Sequence, residues 1–220
     1  VLNGASSFTS SSNSGTTILN EPAGSVTRLA NGTTNSNRMP VVITHSNTQN
    51  ITPANSVTCN AGGIPTENSF FRDFDLAGDF GIAADFDVTD VEFAIETVTG
   101  PVNLTLNVYS LAGTFPANYG SAVLQGTATY TANVGDALTI VTVPLTATIP
   151  AGEHMIYEYR IDAGATFSLF PGSNTDGQTD PSYIQAADCG LTSPGDLAGI
   201  GFPNQHMVMN VIGDEAGGGG

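Results

Sequence analysis

Residues 91–109 read VEFAIETVTGPVNLTLNVY. Apolar side chains recur at every second position on both sides of a Thr-Gly-Pro turn at residues 99–101. A period of two places the apolar residues on one face of a β-strand and the polar residues on the other. Because Gly and Pro mark turns, the stretch predicts a hairpin of two antiparallel strands with one solvent-exposed face.

The same alternation returns along the chain and predicts further strands at residues 123–130, 138–143, 154–161 and 207–212. In the strand at residues 154–161, Met155, Tyr157, Tyr159 and Ile161 share one face. No ten-residue stretch combines an apolar period of 3.6 with a capping residue at its start, so no helix is predicted. The sequence therefore predicts an all-β fold, an antiparallel β-sandwich with jelly-roll topology, preceded by an extended N-terminal arm.

The composition divides the chain into an arm at residues 1–58, a sandwich at 59–215 and a glycine-rich tail at 216–220. Ser, Thr, Asn and Gly dominate the arm, which on its own buries too little apolar surface to fold. Two short apolar islands interrupt it and read as strands that need the edge of a sheet. Their residues are Ile18, Leu19, Val41, Val42 and Ile43. That edge belongs either to a neighbouring copy or to the same chain.

Charge is distributed unevenly, and it excludes several classes of partner. The chain has no lysine and four arginines against 20 carboxylates, which gives a formal net charge of −16. Nineteen of those acids follow residue 66. Nucleic acids and anionic membranes bind clustered Lys and Arg, so neither is a predicted partner. No run of 18 apolar residues predicts a membrane span, and the absence of a signal sequence is expected of a mature secreted chain.

Cys59 and Cys189 are the two cysteines of the chain, and their spacing matches no CxxC metal or redox motif. In an oxidising compartment they would form one disulfide that closes a long loop. Two buried free thiols are the alternative. The disulfide would fit a secreted or cell-surface location.

Catalytic motifs are missing from the sequence. It has no GxSxG, no HExxH and no phosphate-binding GxxxxGK loop, and it has no lysine for covalent catalysis. Glu92 and Glu96 share a strand face about 13 Å apart, farther than the carboxylate pair of a glycosidase. His45, His154 and His206 lie on different predicted elements, so isolated histidines are favoured over a three-histidine metal site. We therefore expect no enzymatic activity.

Calcium binding is the chemistry that the acidic residues favour, because Ca²⁺ takes several oxygen ligands from flexible loops. Two stretches rich in Asp and Asn supply such oxygens, one of them around the glycine at residue 177. The candidate ligands are Asp73, Asp75, Asp79, Asn174, Asp176, Gln178 and Asp180. The alternative is that Asp, Asn and Gly simply form turns there.

Aromatic residues bear on carbohydrate binding, since sugars stack on exposed rings. The chain has no tryptophan, and its six tyrosines are the candidates: Tyr109, Tyr119, Tyr130, Tyr157, Tyr159 and Tyr183. Buried tyrosines in the core of a sandwich are the alternative.

Residues 59–211 resemble a β-sandwich module that recurs in secreted multidomain bacterial surface proteins and as an appendage of secreted peptidases. The segments that carry the resemblance are residues 69–76, 91–96, 172–178, 181–184, 189–190 and 201–211. The resemblance implies a sandwich architecture and an extracellular location. It implies no particular reaction, and it does not extend to the first 58 residues.

Together these observations favour an extracellular, non-catalytic structural or adhesive protein. Its arm would pair with the sandwich of a neighbouring copy, and head-to-tail contacts of that kind build fibres. A homopolymer is thus the first predicted partner arrangement. The alternative is a carbohydrate- or protein-binding accessory module of a secreted hydrolase, with surface glycans or proteins as partners.

Overall fold

The structure is a computed structural model that describes residues 7–10 and 40–216. Within these residues lie three short 3-10 helices, at Tyr119–Ser121, Val134–Asp136 and Ala187–Cys189. Sixteen strands make up the rest of the regular structure: β1 Ser7–Ser10, β2 Val41–Thr44, β3 Val57–Ala61, β4 Ile64–Pro65, β5 Asn68–Phe74, β6 Phe86–Val98, β7 Val102–Leu111, β8 Val123–Ala132, β9 Thr139–Ile149, β10 His154–Ile161, β11 Leu169–Pro171, β12 Ser173–Asn174, β13 Tyr183–Ala186, β14 Leu191–Asp196, β15 His206–Met207 and β16 Met209–Glu215. Within the described residues, no helix has the length and apolar character needed to cross a membrane.

Two antiparallel sheets form the sandwich. Sheet I has the strand order β14-β13-β5-β10-β7-β8, and sheet II has the order β9-β6-β16-β2, with β11 beside the end of β6. Eight principal strands, β2, β5 to β10 and β16, divide four and four between the sheets. Successive strands change sheet except β7 and β8, which pair within sheet I, and the first and last strands are neighbours in sheet II. The second and seventh are neighbours in sheet I. This order is that of a jelly roll, so the predicted all-β class and topology are confirmed.

The predicted hairpin at residues 91–109 is wrong, although both of its strands exist. Strand β6 pairs with β9 and β16 in sheet II, whereas β7 pairs with β8 and β10 in sheet I. The turn at residues 99–101 therefore carries the chain from one sheet to the other. Alternation fixes which face of a strand is apolar, and it does not specify the neighbouring strand.

The core lies between the two sheets and is filled by the inward faces of their strands. Met155, Tyr157, Tyr159 and Ile161 of β10 are fully buried, as the alternation predicts. The ring of Tyr159 packs 4.6 Å from that of Phe93 on the opposite sheet. Burial of these large side chains supplies the main favourable term in folding.

Part of the predicted arm belongs to the sandwich. Strand β2 pairs with β16 of the same chain, and its Ile43 is fully buried in the core. The sandwich thus begins before the predicted boundary at residue 58. Strand β1 also pairs within the chain, with β3. Ile18 and Leu19 lie outside the described residues, as do residues 217–220.

A disulfide joins Cys59 of β3 to Cys189, the last residue of the third 3-10 helix. The two residues are separated by 130 positions in sequence. The bond connects β3 to the segment between β13 and β14. Strand β3 lies in the chain just before β4 and β5, and β5 is the first strand of sheet I in chain order. Free thiols at these positions are thereby excluded.

Candidate functional site

The outer face of sheet I is partly covered by the connection between β7 and β8, residues 112–122. Phe115 and Tyr119 of this connection pack against rings that project from the sheet. The ring of Phe71 lies 5.1 Å from that of Tyr119, and the ring of Tyr183 lies 4.9 Å from that of Phe115. This aromatic cluster holds the connection down over one half of the sheet and leaves the other half open.

The open half forms a cleft with a volume of about 710 Å³. Its floor is made by Ser69, Tyr109, Glu158 and Arg160, which project outward from three adjacent strands. One wall is the short hairpin formed by β3 and β4. The volume lies within the range of small-molecule binding sites.

The remaining walls come from three other parts of the chain. Tyr119 closes the cleft on the side of the aromatic cluster, and Ala163 and Gly164 form the turn after β10. Ala187 and Asp188 of the third 3-10 helix contribute the wall that adjoins the hairpin, since the Cα atoms of Cys59 and Cys189 are 5.9 Å apart. Since Cys59 and Cys189 adjoin these two walls, the disulfide fixes the distance between them.

Glu158 is the centre of the hydrogen-bond network in the floor. Its residue is only 4% exposed, yet both carboxylate oxygens have donors. The Ser69 hydroxyl donates to Oε1 at 2.6 Å, and the Asn107 amide donates to Oε2 at 2.8 Å. The Tyr109 hydroxyl also donates to Oε2, at 2.7 Å. Charge-assisted hydrogen bonds of this kind hold the carboxylate in one orientation.

The two tyrosines of the cleft are half-buried, and both have raised pKa values. Burial is the larger cause, and the negative charge of Glu158 is the second. For Tyr119 these effects raise the pKa to about 12. Both hydroxyls keep their protons at neutral pH, the proton of Tyr109 being donated to Glu158, and the two rings offer apolar surface.

Arg160 supplies the positive charge of the floor. Its Nε donates to Oδ1 of Asp162 at 3.1 Å, and the Thr105 hydroxyl donates to the same oxygen at 2.9 Å. The pair is partly exposed, with about a third of each side chain accessible. The guanidinium thus has a fixed direction and retains donors that a ligand can use.

The predicted calcium ligands lie near each other in part, but their oxygens are used by the protein. Across residues 7–10 and 40–216, no three His, Cys, Asp or Glu side chains form a group able to hold a metal ion. Oxygens of four predicted ligands accept hydrogen bonds from within the chain: Asp73 from His154, Asp75 from the Gly78 amide, Asp176 from Thr48 and Gln178 from Ser182. Hydrogen bonds within the chain thus occupy part of the predicted oxygen set, and calcium binding at these residues stays a prediction.

The other predicted ligands take structural positions as well. Asn174 is fully buried and donates to the Thr48 carbonyl at 3.1 Å. Asp79 lies 3.9 Å from the His45 ring nitrogen. The Asp180 carbonyl accepts a 2.7 Å hydrogen bond from Arg72, whose guanidinium is fully buried in the core. Burial, and then the charge of Asp73, raises the pKa of the Asp180 carboxyl to about 6.

His45 is buried beside these groups and carries a pH prediction. Its ring stacks on Phe74 with 5.0 Å between centroids, and Nδ1 shares a 2.7 Å hydrogen bond with the Thr179 hydroxyl. Burial, and then the charge of Arg72, lowers its pKa from 6.5 to about 4. As the pH falls from 6.5 to 4, the imidazole of His45 becomes protonated in the unfolded chain, whereas in the folded chain it stays mostly neutral. The folded state should thereby lose up to about 3 kcal/mol of stability.

Urea unfolding of wild type and of His45→Gln measures this effect. Because glutamine does not titrate, the variant should not lose this part of its stability at low pH. The free energy of unfolding of wild type, relative to that of His45→Gln, should therefore fall between neutral pH and about pH 4. His206→Gln serves as a control for a histidine that lies closer to the surface. Parallel stability curves for wild type and His45→Gln would contradict the prediction.

Sequence reasoning missed most of the cleft. Tyr109 and Tyr119 are among the tyrosines that the sequence offers for sugar binding, whereas no prediction involves Glu158 or Arg160. The available signal is the position of these residues. Glu158 alternates with fully buried tyrosines on β10 and lies opposite Asn107 of β7. A polar pair across adjacent strands stabilises the outer face of a sheet, so this pattern alone does not single out a binding site.

The chain was compared with known proteins. No family model matches it, and no curated protein matches it. A search of solved structures found the cysteine protease and lectin-like domains of Cwp84, a surface layer associated protein of Clostridium difficile. The two are 13% identical with a TM-score of 0.47, over 74% of this chain and 38% of the length of the other.

Proposed function

We propose that this protein is an extracellular carbohydrate-binding module, of the accessory kind that is attached to secreted hydrolases, and that the cleft on sheet I is its binding site. One observation carries the proposal. Half-buried tyrosine rings flank a floor in which Glu158 and Arg160 have fixed directions. Sugars present apolar ring faces and hydroxyl groups at once, so they need both kinds of surface in one cavity.

The extracellular location is supported by the disulfide. Disulfides persist in oxidising environments and are rare in the cytosol of most organisms. The acidic composition, with no lysine, adds solubility and disfavours polyanionic partners. Both properties suit a module that works outside the cell.

We propose a binding role without catalysis. Both oxygens of Glu158 accept hydrogen bonds from the protein, so this carboxylate is already committed to the structure of the floor. Hydrolysis of a glycoside would require two carboxyl groups placed on either side of the scissile bond. The arrangement around Glu158 serves to orient a ligand.

A glycan array followed by calorimetry with the retained oligosaccharide tests the proposal. Tyr119→Ala should weaken binding about tenfold, since a ring that stacks on a ligand contributes about 1 kcal/mol or more. Tyr130→Ala is the matched control, because Tyr130 lies on β8 outside the cleft. Thermal unfolding of both variants checks that they remain folded.

Two results would contradict the proposal. The first is an array on which wild type retains no glycan at all. The second is a Tyr119→Ala variant that binds the retained glycan as tightly as wild type while Tyr130→Ala does the same.

Fibre assembly by arm donation stays a prediction. In the structure both β1 and β2 pair with strands of their own chain, which is the alternative of an arm folded in cis. Removing residues 1–58 would delete a strand of the jelly roll, so deletion of residues 1–39 is the appropriate test. Electron microscopy of the full chain and of this deletion would show whether filaments form and whether they need the arm.

A further inference from the structure

The charges that line the cleft are unbalanced. Three carboxylates, those of Glu67, Glu158 and Asp188, face one guanidinium, that of Arg160. Among the described residues no other cationic side chain lines the cleft, and the Arg160 Nε is already bound to Asp162. Asp162 already pairs with Arg160, and Glu158 accepts hydrogen bonds from the protein. The exposed carboxylates of Glu67 and Asp188 are thus the two negative groups that solvent or a ligand can meet.

Two tyrosine side chains, those of Tyr109 and Tyr119, line the same cleft beside Glu158. The charge of Glu158 contributes to the raised pKa of both Tyr109 and Tyr119, after burial. The rings of these tyrosines meet edge to face, with centroids 5.8 Å apart. Aromatic faces attract cations, and they do so more strongly where water is partly excluded. The carboxylates and the aromatic rings therefore both favour a positively charged ligand.

We propose, on the basis of the function proposed above, that the cleft prefers sugars that carry a free ammonium group, namely hexosamine units without an N-acetyl group. An ammonium donates three hydrogen bonds and is attracted by both the carboxylates and the rings. An N-acetylated unit of the same size is neutral and loses that attraction. Uronic acids and other anionic sugars are repelled, because the one guanidinium is outnumbered.

Calorimetry with three oligosaccharides of equal length tests this preference. They are an oligomer of glucosamine, its N-acetylated counterpart and an oligomer of glucuronic acid, at mildly acidic pH where the amine is charged. The glucosamine oligomer should bind at least about tenfold more tightly than the N-acetylated one, and the glucuronic acid oligomer should bind least. Added salt should reduce the difference in affinity between the two glucosamine oligomers, since the carboxylates of Glu67 and Asp188 are exposed.

The double variant Glu67→Gln and Asp188→Asn should reduce the preference several-fold. Both side chains are exposed on the walls of the cleft, so their replacement leaves the core untouched. The matched control is Asp85→Asn with Asp87→Asn, which changes the net charge equally at exposed positions outside the cleft. It should leave the preference unchanged.

The outcomes separate the two proposals. Equal binding of the free and the N-acetylated oligomer would overturn the ammonium preference and leave the carbohydrate-binding function standing. The ammonium preference would also be overturned if it were unchanged in the double variant of Glu67 and Asp188, or if it disappeared equally in the control variant of Asp85 and Asp87. Failure of every oligosaccharide to bind, here and on the array, would overturn both.

Discussion

Replacing Cys59 and Cys189 together by serine should lower the free energy of unfolding by about 4 kcal/mol. The disulfide closes a loop with a sequence separation of 130, and in the chain-entropy model such a loop restricts the unfolded chain strongly. Urea unfolding of the variant and of wild type measures the difference. Wild type with a reducing agent should approach the same lowered value, which separates the effect of the bond from that of the serine side chains.

The same variant should also lose ligand affinity. Cys59 lies at the base of the β3–β4 hairpin and Cys189 ends the 3-10 helix that forms the adjoining wall. Without the bond the two walls can separate, so part of the binding free energy is needed to bring them together. Under conditions where the variant is fully folded, we expect a reduction in affinity of about tenfold. A change in stability below about 1 kcal/mol, or unchanged affinity, would contradict these expectations.

Local alternation determined much of the fold in advance. On β10 it identified which side chains enter the core, and Tyr157 and Tyr159 are indeed fully buried. It failed where the result depends on long-range pairing. The turn at residues 99–101 reads as a hairpin, but β6 is satisfied by β9 and β16 on its two edges, so β7 joins the other sheet. Periodicity contains no information about which edges are free.

The candidate site was less accessible to sequence reasoning. Acidic turns suggested calcium, yet residues such as Asp75 and Asp176 accept hydrogen bonds from nearby groups of the chain. The connection at residues 112–122 folds over part of the outer face of sheet I and brings Tyr119 beside Tyr109, so that it closes one side of the cleft. The placement of such a connection depends on tertiary contacts with Phe71 and its neighbours, and no local pattern encodes it.

A buried arginine was also missed, although the sequence contains its signal. Arg72 stands between Phe70 and Phe74 on the core face of β5, where a polar residue breaks the apolar alternation. Its Nη1 donates to the Asp180 carbonyl at 2.7 Å, and its Nη2 donates to the Met207 carbonyl at 2.6 Å. The guanidinium thus connects sheet I to the chain on both sides of β13 and β14. Burial lowers its pKa to about 9.

Arg72→Ala should therefore destabilise the protein by about 3–5 kcal/mol. The change removes one of the two donors of the Met207 carbonyl and the donor of the half-buried Asp180 carbonyl, and it opens a cavity in the core. Arg72→Met keeps most of the side-chain volume and removes a desolvated charge. Both effects offset part of the lost stability, so we expect a smaller decrease in the free energy of unfolding, of about 2 kcal/mol. Urea unfolding ranks the two variants against wild type.

A second measurement distinguishes the charge of Arg72 from its packing. Since this charge helps to lower the pKa of His45, Arg72→Met should raise the pKa of His45 toward its ordinary value, as followed by NMR titration. A role confined to filling space would leave that pKa where it is. Equal costs for Arg72→Ala and Arg72→Met, with an unmoved His45 titration, would show that the two hydrogen bonds alone determine the contribution of this residue.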